Sequence, residues 1–343
     1  MGDSRAARLL RTVEGAAYWT AAAPALARLP AALGYRIACW HGDLLFRCQI
    51  DKRTTLARNL ERVLGDELSS AAALRVTREW FRFASCEAVD MKRLRRRALP
   101  LRRLIEIRGR EHLEASLAAG KGAILCMGHF GSYDSGLSVL HDSGFPVTTI
   151  GRRVHVYTPG LSSAERWFWE LAYTRPLRRH RQRPNIEPWP GRFQPVAQAA
   201  AAVRANEVVA ILIDAPSLDS DRPRSVEVPF LGRRALLLPG AVGLAQVTGA
   251  PLLMGVLYRA ADYRHQVWEI SAPVPMEADT AAAFGHCAAE VSAAIRRSPA
   301  HWDFWNSTDS LANLGLIQPQ RDSSVAGPAL PPGGKFSTRW INR

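Results

Sequence analysis

Cysteine is sparse in this 343-residue chain: Cys39, Cys48, Cys86, Cys126 and Cys287 are scattered, with no C-x-x-C pair. An odd, unpatterned set argues against a disulfide framework and against a cysteine-built zinc site, and suits a reducing compartment. The nine histidines form no cluster at ligand spacing, so no metal is expected. Long apolar runs are missing as well. The best candidate, Gly15 to Ala27, is interrupted by Pro24 and followed by Arg28 and Pro30, short of the ~20 apolar residues a membrane span requires. No secretory leader is expected, because Asp3, Arg5, Arg8, Arg11 and Glu14 precede any apolar run. Nor does GSYDSG match the G-x-S-x-G turn that would expose a serine nucleophile. Finally, acidic charge is short: 31 Asp and Glu stand against 45 Lys and Arg, a net +14.

That imbalance favours polyanionic partners: nucleic acid, anionic lipid headgroups or an acidic carrier protein. The remaining composition, 47% hydrophobic and 22% charged, is that of a globular protein able to bury a sizeable core. The chain divides into an amphipathic N-terminal helical region over 1–50, a main domain over 51–317 and a tail over 318–343. The tail's DSSVAGPALPPGGKFSTR cannot bury enough apolar surface to order itself. Residues 5–17 place Leu9, Leu10, Val13 and Ala17 on one helical face. Residues 18–48 set Tyr18, Trp19, Tyr35 and Trp40 among apolar and arginine positions, which suits either a lipid headgroup layer or a helical hairpin packed on the main domain. Residues 52–90 read as helical, with an N-cap at Ser69 or Ser70. An Arg-rich helix near 92–110 follows, carrying nine basic residues against Glu106; it is either a solvated face or an anion-docking surface.

From residue 109 the pattern becomes α/β. GREHLEASLAAGKG is a helix closed by glycines, AILCMGH a buried strand ending in polar chemistry, and PVAQAAAAVRANEVVAILID a second helix–strand unit. Further strands fall at VTTIGRR and over 225–230, 251–259 and 265–272. Helices alternating with strands predict an α/β fold with a mixed, largely parallel central sheet flanked by helices.

The residues most able to do chemistry lie in Gly128-His129-Phe130-Gly131-Ser132-Tyr133-Asp134. His129 stands where an apolar strand ends, the usual place for a ligand site in such sheets. Asp134 follows near the start of the next helix, and a glycine-containing turn can bring the two side chains together. The carboxylate would fix the imidazole tautomer, leaving the free nitrogen to take a proton from a hydroxyl or amine. A His–Asp hydrogen bond near a helix start also occurs as plain structure.

The run from GREHLEASLAAGKG through GHFGSYDSG to VTTIGRR resembles the lysophospholipid acyltransferase superfamily. It is most similar to the branch of lipid A late (lauroyl and myristoyl) acyltransferases and phosphatidylinositol mannoside acyltransferases. That branch carries a G-x-E-H-L helix, a K-G-x-I-L strand and an H-x4-D/E motif, all present in order. A second block, EVVAILIDAPSLDSDRPRSVEVPFLGRRALLLPGAVGLAQVTGAPLL, together with RNLERVLG and IRRSPAHWDFW, extends the resemblance over roughly 50–310. The resemblance implies His129 as general base and Asp134 as its acidic partner, Asp214 in a conserved acidic position, and Glu227 as a site-lining glutamate. Arg166 falls where the branch tends to keep an arginine. Arg152 and Arg224, near the site's rim and the V-x-V segment, are further candidates for anionic groups, as are Arg153 and the run Arg175, Arg178, Arg179, Arg181 and Arg183. The chain departs from the branch in having Gly131-Ser132-Tyr133-Asp134 where G-N-W-E is common, Ala215 after Asp214, and Asn306-Ser307-Thr308 after the tryptophan.

The implied activity is transfer of a fatty acyl group from an acyl carrier protein or coenzyme A thioester to a hydroxyl or amine of a lipid or glycolipid. It would proceed without an acyl-enzyme and with no cofactor beyond the acyl donor. An apolar groove or tunnel would take the acyl chain, and the protein would sit peripherally on the cytoplasmic face of an inner or plasma membrane. Two other readings stand beside it: the same chemistry on a soluble specialised metabolite, and a basic nucleic-acid-binding protein. Against the last, aromatic residues do not interleave with the basic runs.

Overall fold

A computed structural model describes residues 13–94, 101–151, 167, 185–186, 194–215, 225–276 and 280–318. Of the helix expected over 5–17, residues 13–17 are described and helical. The expected tail lies outside the described residues except for Gln318.

The N-terminal region is helical. A stretch from Tyr18 to Leu26 leads into α1 (Ala31–Cys48), α2 (Ile50–Leu64) and α3 (Ser70–Arg93). Ser69 caps α3, its hydroxyl accepting from the Ala72 N–H at 3.3 Å. α1 crosses α3 with its backbone in near contact, because Gly42 carries no side chain: a Cβ there would meet the Arg82 Cα at 2.6 Å. Asp43 then grips two turns of α3, accepting from Arg78 at 2.7 and 2.9 Å and from Arg82 at 2.7 Å through each oxygen. The two guanidinium groups hold its carboxyl well below the usual range, against the opposing effect of burial.

The Arg-rich segment near 92–110 is not one helix. α3 ends at Arg93, and after a 3-10 turn at Leu101–Arg103 the chain becomes strand β1 (Ile105–Arg108). Ile105 is buried there, where β1 runs parallel to β9 (Gln266–Ile270). The apolar residues alternate with Glu106 and Arg108 at a period of two, so strand pairing decides the conformation.

The chain continues as α4 (Arg110–Ala118), β2 (Ala123–Met127), α5 (Tyr133–Asp142), β3 (Val147–Ile150), β4 (Asn185–Ile186), α6 (Gln194–Arg204) and β5 (Val208–Leu212). Then come β6 (Val226–Phe230), β7 (Arg233–Leu237), α7 (Gly240–Thr248), β8 (Leu252–Arg259), β9, α8 (Thr280–Arg297) and α9 (Thr308–Asn313). The seven-stranded sheet has the order β1-β9-β8-β2-β5-β3-β4. Its neighbours are parallel except β8 and β9, which run antiparallel, so the sheet is mixed and largely parallel as expected. β6 and β7 form a separate antiparallel hairpin; β7 is absent from the sequence-based strand assignment.

β2 is central and buried along its whole length, which is why AILCM is uninterrupted by polar residues. One apolar layer (Leu101, Leu113, Leu137, Leu140, Trp268) covers one side of the sheet; the larger core lies on the other and takes in Leu56, Leu60, Trp80 and Phe81 from α2 and α3. All five cysteines are free thiols.

Candidate active site

His129 and Asp214 meet because of strand register. β2 and β5 are parallel neighbours with Met127 opposite Leu212, and the Ile213 N–H continues the ladder to the Met127 carbonyl at 2.9 Å. Two residues past that rung on each strand stand His129 and Asp214, at the carboxyl ends where a doubly covered sheet opens. His129 Nδ1 lies 2.7 Å from Asp214 Oδ1. The His129 backbone N–H donates to both carboxylate oxygens at 2.9 Å, and the Trp302 indole N–H donates to Oδ2 at 2.7 Å. An ionised carboxylate only accepts, so in the neutral ring Nδ1 carries the proton and Nε2 the lone pair.

Asp134, expected to hold the imidazole, is not the group at Nδ1; Asp214 stands there. Asp134 sits in the first turn of α5 at 4% exposure, where its charge suits the positive end of the helix. The in-register Asp214 occupies the Nδ1 side. Asp134 acts on His129 through its charge. Burial disfavours the imidazolium, but Asp214, by charge and hydrogen bond, and then Asp303 and Asp134 outweigh it, so the His129 pKa rises above its ordinary value.

A C-terminal segment closes over the pair. Residues 301–303 pair antiparallel with 129–131: the Gly131 N–H donates to the His301 carbonyl at 2.8 Å, and the Asp303 N–H to the His129 carbonyl at 3.1 Å. The Phe304 ring lies 4.8 Å from the His129 ring, and Tyr133 presents its edge at 5.4 Å. Asp303 is half-buried beside the histidine. Burial, with the charges of Asp214 and Asp134, pushes its carboxyl up to about 7 despite the pull of His129. Glu87 on α3 is also pushed up, by burial and then by Asp303 and Asp90. His301 is forced the other way, to about 3, by burial and by Arg259, and stays neutral between Phe83 and Phe130.

Behind the loop lies a fully buried hub. Asp90 pairs with Arg259 and accepts from the Tyr35 hydroxyl, from Ser132 at 3.1 Å and from Gln266 at 3.1 Å. It joins α1, α3, β8 and β9 to Ser132, the residue before α5. Asp90, Arg259, Ser132, Trp302 and Asp303 were not singled out from sequence. Their signals were a lone acid within HWDFW and charges inside otherwise apolar helix and strand patterns. Of the other sequence candidates, Glu227 is exposed on β6 and pairs with Arg234 across the hairpin rather than with the histidine. Arg152, Arg153, Arg166, Arg224 and the run from Arg175 to Arg183 lie outside the described residues.

A carboxylate-held histidine at the carboxyl end of a central parallel strand, with further acids around it, is an arrangement that general-base chemistry can use, set in an α/β fold. By sequence the chain belongs to the bacterial lipid A biosynthesis acyltransferase family, whose profile matches residues 4–306. It is 31% identical over 210 residues to a phosphatidylinositol mannoside acyltransferase of Mycobacterium tuberculosis, covering 58% of each chain. It is 27% identical over 154 residues to a lipid A biosynthesis acyltransferase of Haemophilus influenzae, covering 45% of this chain and 42% of that one. The chain thus matches about half the length of these relatives.

Proposed function

We propose that this protein transfers a fatty acyl group from a thioester of acyl carrier protein or coenzyme A to a hydroxyl or amine of a lipid or glycolipid, at a membrane surface. The observation that carries the reading is the 2.7 Å contact of His129 Nδ1 with Asp214, which leaves Nε2 free to act as a base. The acceptor's proton passes to Nε2 as its oxygen or nitrogen attacks the thioester carbonyl. The tetrahedral intermediate collapses, the carbon–sulfur bond breaks, and the leaving thiolate takes the proton back from the imidazolium. Asp214, Asp134 and Asp303 stabilise the imidazolium in between. His129 attacks nothing itself, so no acyl-enzyme forms.

Membrane contact is supported by one face of α1. Leu33, Arg36, Trp40, Leu44 and Arg47 follow one another at three- and four-residue spacing and are all exposed, at 46% for Leu33, 60% for Trp40 and 56% for Leu44. The Arg36 guanidinium lies 5.6 Å from the Trp40 ring centroid. An aromatic and leucine stripe edged by arginines suits the headgroup layer. No described helix is long and apolar enough to cross a membrane. The acyl chain would occupy an apolar groove whose depth sets chain-length preference, at about 0.8 kcal/mol per buried methylene.

The test offers purified protein acyl carrier protein and coenzyme A thioesters with a lipid extract, and follows products by mass spectrometry. Wild type is expected to form an acylated lipid that His129→Ala does not. Equal activity in the two would remove His129 from its role, and absence of any transfer by wild type would overturn the acyltransferase reading.

A further inference from the structure

We infer that Trp302 is a positioning residue for the His129–Asp214 pair, acting through its indole N–H on the Asp214 carboxylate. The inference rests on the general-base reading of His129. Asp214 is fully buried, and its two oxygens face different demands. Oδ1 must accept from His129 Nδ1 at 2.7 Å, along a line that sets the ring plane. The backbone N–H of His129 does not fix the carboxylate's rotation, because it is shared between both oxygens at the same 2.9 Å. On the Oδ2 side the fixed donor is the Trp302 indole at 2.7 Å. Without it the carboxylate can turn about its Cβ–Cγ bond, and the imidazole is no longer held in one tautomer.

Trp302 is itself rigid. It is fully buried, its ring packs edge-on to Trp305 at 4.7 Å and to Phe304 at 5.5 Å, and its carbonyl accepts from the Trp80 indole at 3.3 Å. Its backbone pairs with Phe130, next to His129. An indole only donates, so its hydrogen bond cannot reverse. A purely packing tryptophan would need neither the N–H nor its aim at Oδ2. Trp305, beside it, serves as the comparison: its indole N–H goes to the Pro299 carbonyl at 2.8 Å and does not touch the site.

The experiment compares wild type, Trp302→Phe and Trp305→Phe by thermal melting, steady-state kinetics and 15N NMR of labelled histidine. Trp302→Phe is expected to lower kcat about 10- to 100-fold, the scale of losing an outer hydrogen bond that orients a catalytic side chain, with KM within about twofold. The neutral His129 ring should shift from the Nδ1–H form toward a mixture of tautomers. Trp305→Phe should keep the wild-type tautomer even if it melts earlier. Should Trp302→Phe fail to fold, benzothienylalanine at position 302 replaces the N–H by sulfur in a ring of nearly the same shape. A folded Trp302 variant with wild-type kcat and an unmixed Nδ1–H tautomer would overturn the inference. The NMR arm reads out even if wild type transfers no acyl group, so failure of the acyltransferase reading stays distinguishable.

Discussion

On the proposed reading His129 is a base with one ring nitrogen held and the other left free, and the holding group comes from a neighbouring strand. Asp214→Asn keeps the shape of that group but can donate where the carboxylate accepts, which favours the wrong tautomer. It is expected to lower kcat about 1,000- to 10,000-fold with the fold intact, as such replacements do in related triads. Loss of less than tenfold, with Asp134→Asn losing more, would move the orienting role to Asp134. Asp303 contributes to the working pH, behind Asp214. Because the His129 pKa lies above its ordinary 6.5, the acid limb of kcat/KM should fall above that value. His129 faces Asp214, Asp134 and Asp303, and Asp303 in turn faces Glu87; Asp303→Asn removes the negative charge that Asp303 gains as it ionises near 7 and should move the limb toward acid. The same substitution has a stability signature. The folded Asp303 carboxyl keeps its proton up to about 7, whereas the unfolded one releases it near 3.9. Wild type therefore loses stability as pH rises between those values, and Asp303→Asn should melt higher than wild type at pH 8 and little differently at pH 4. The gain at pH 8 should reach at most a few kcal/mol. Equal melting shifts at both pH values would contradict this assignment.

At the scale of elements, the loop from β2 to α5 is held between β8 and the C-terminal segment. Gly131 has φ +69°, and a Cβ there would fall 1.9 Å from the Leu257 carbonyl oxygen on β8. Gly131→Ala must therefore push the loop off β8 and break its bond to the His301 carbonyl. Backbone strain alone should cost about 1–3 kcal/mol, and activity should fall more than the melting temperature implies; a fully active Gly131→Ala would show that the loop tolerates displacement. The helices and strands around this loop were legible in sequence, because their patterns are local: AILCM for a buried strand, Ser69 before α3, glycines closing α4. The place of His129 at a strand end was legible, because AILCMGH is a local pattern. The partner of His129 was not, because register between β2 and β5 is a long-range property, and a five-residue spacing drew attention to Asp134 instead. The segment near 92–110 was misjudged for the same reason, since the pairing of β1 with β9 outweighs a basic, helix-compatible run. The aromatic lid over His129 showed only as a block of resemblance, without a role for any one residue.

Across the whole molecule, two features connect the site to the rest of the chain: the buried Asp90–Arg259 hub and the exposed stripe on α1. Removing one partner of a buried pair like this typically costs about 3–5 kcal/mol, because the other charge is left uncompensated. The hub therefore fixes α1 and α3 against the loop carrying the site. Tyr35 takes part in it from one side of α1, while Leu33, Trp40 and Leu44 look outward from the other. A helix anchored so firmly has no structural need for an exposed tryptophan. With a net charge of +14, the chain should be drawn to anionic vesicles, and the stripe should supply the apolar part of that binding. Charge attraction alone weakens steeply with salt, whereas insertion of apolar side chains does not. Trp40→Ser should thus weaken binding to phosphatidylglycerol-containing vesicles at 0.5 M salt by about tenfold, since burying such a side chain contributes at least ~1.5 kcal/mol. Leu33→Ser with Leu44→Ser should weaken it further, and melting curves should stay close to wild type because these side chains are exposed. Co-sedimentation at low and high salt reads both contributions. If the stripe variants bind as wild type does at 0.5 M salt, α1 is not the contact face; if wild type itself detaches completely there, its attachment is electrostatic and the stripe must be reassigned.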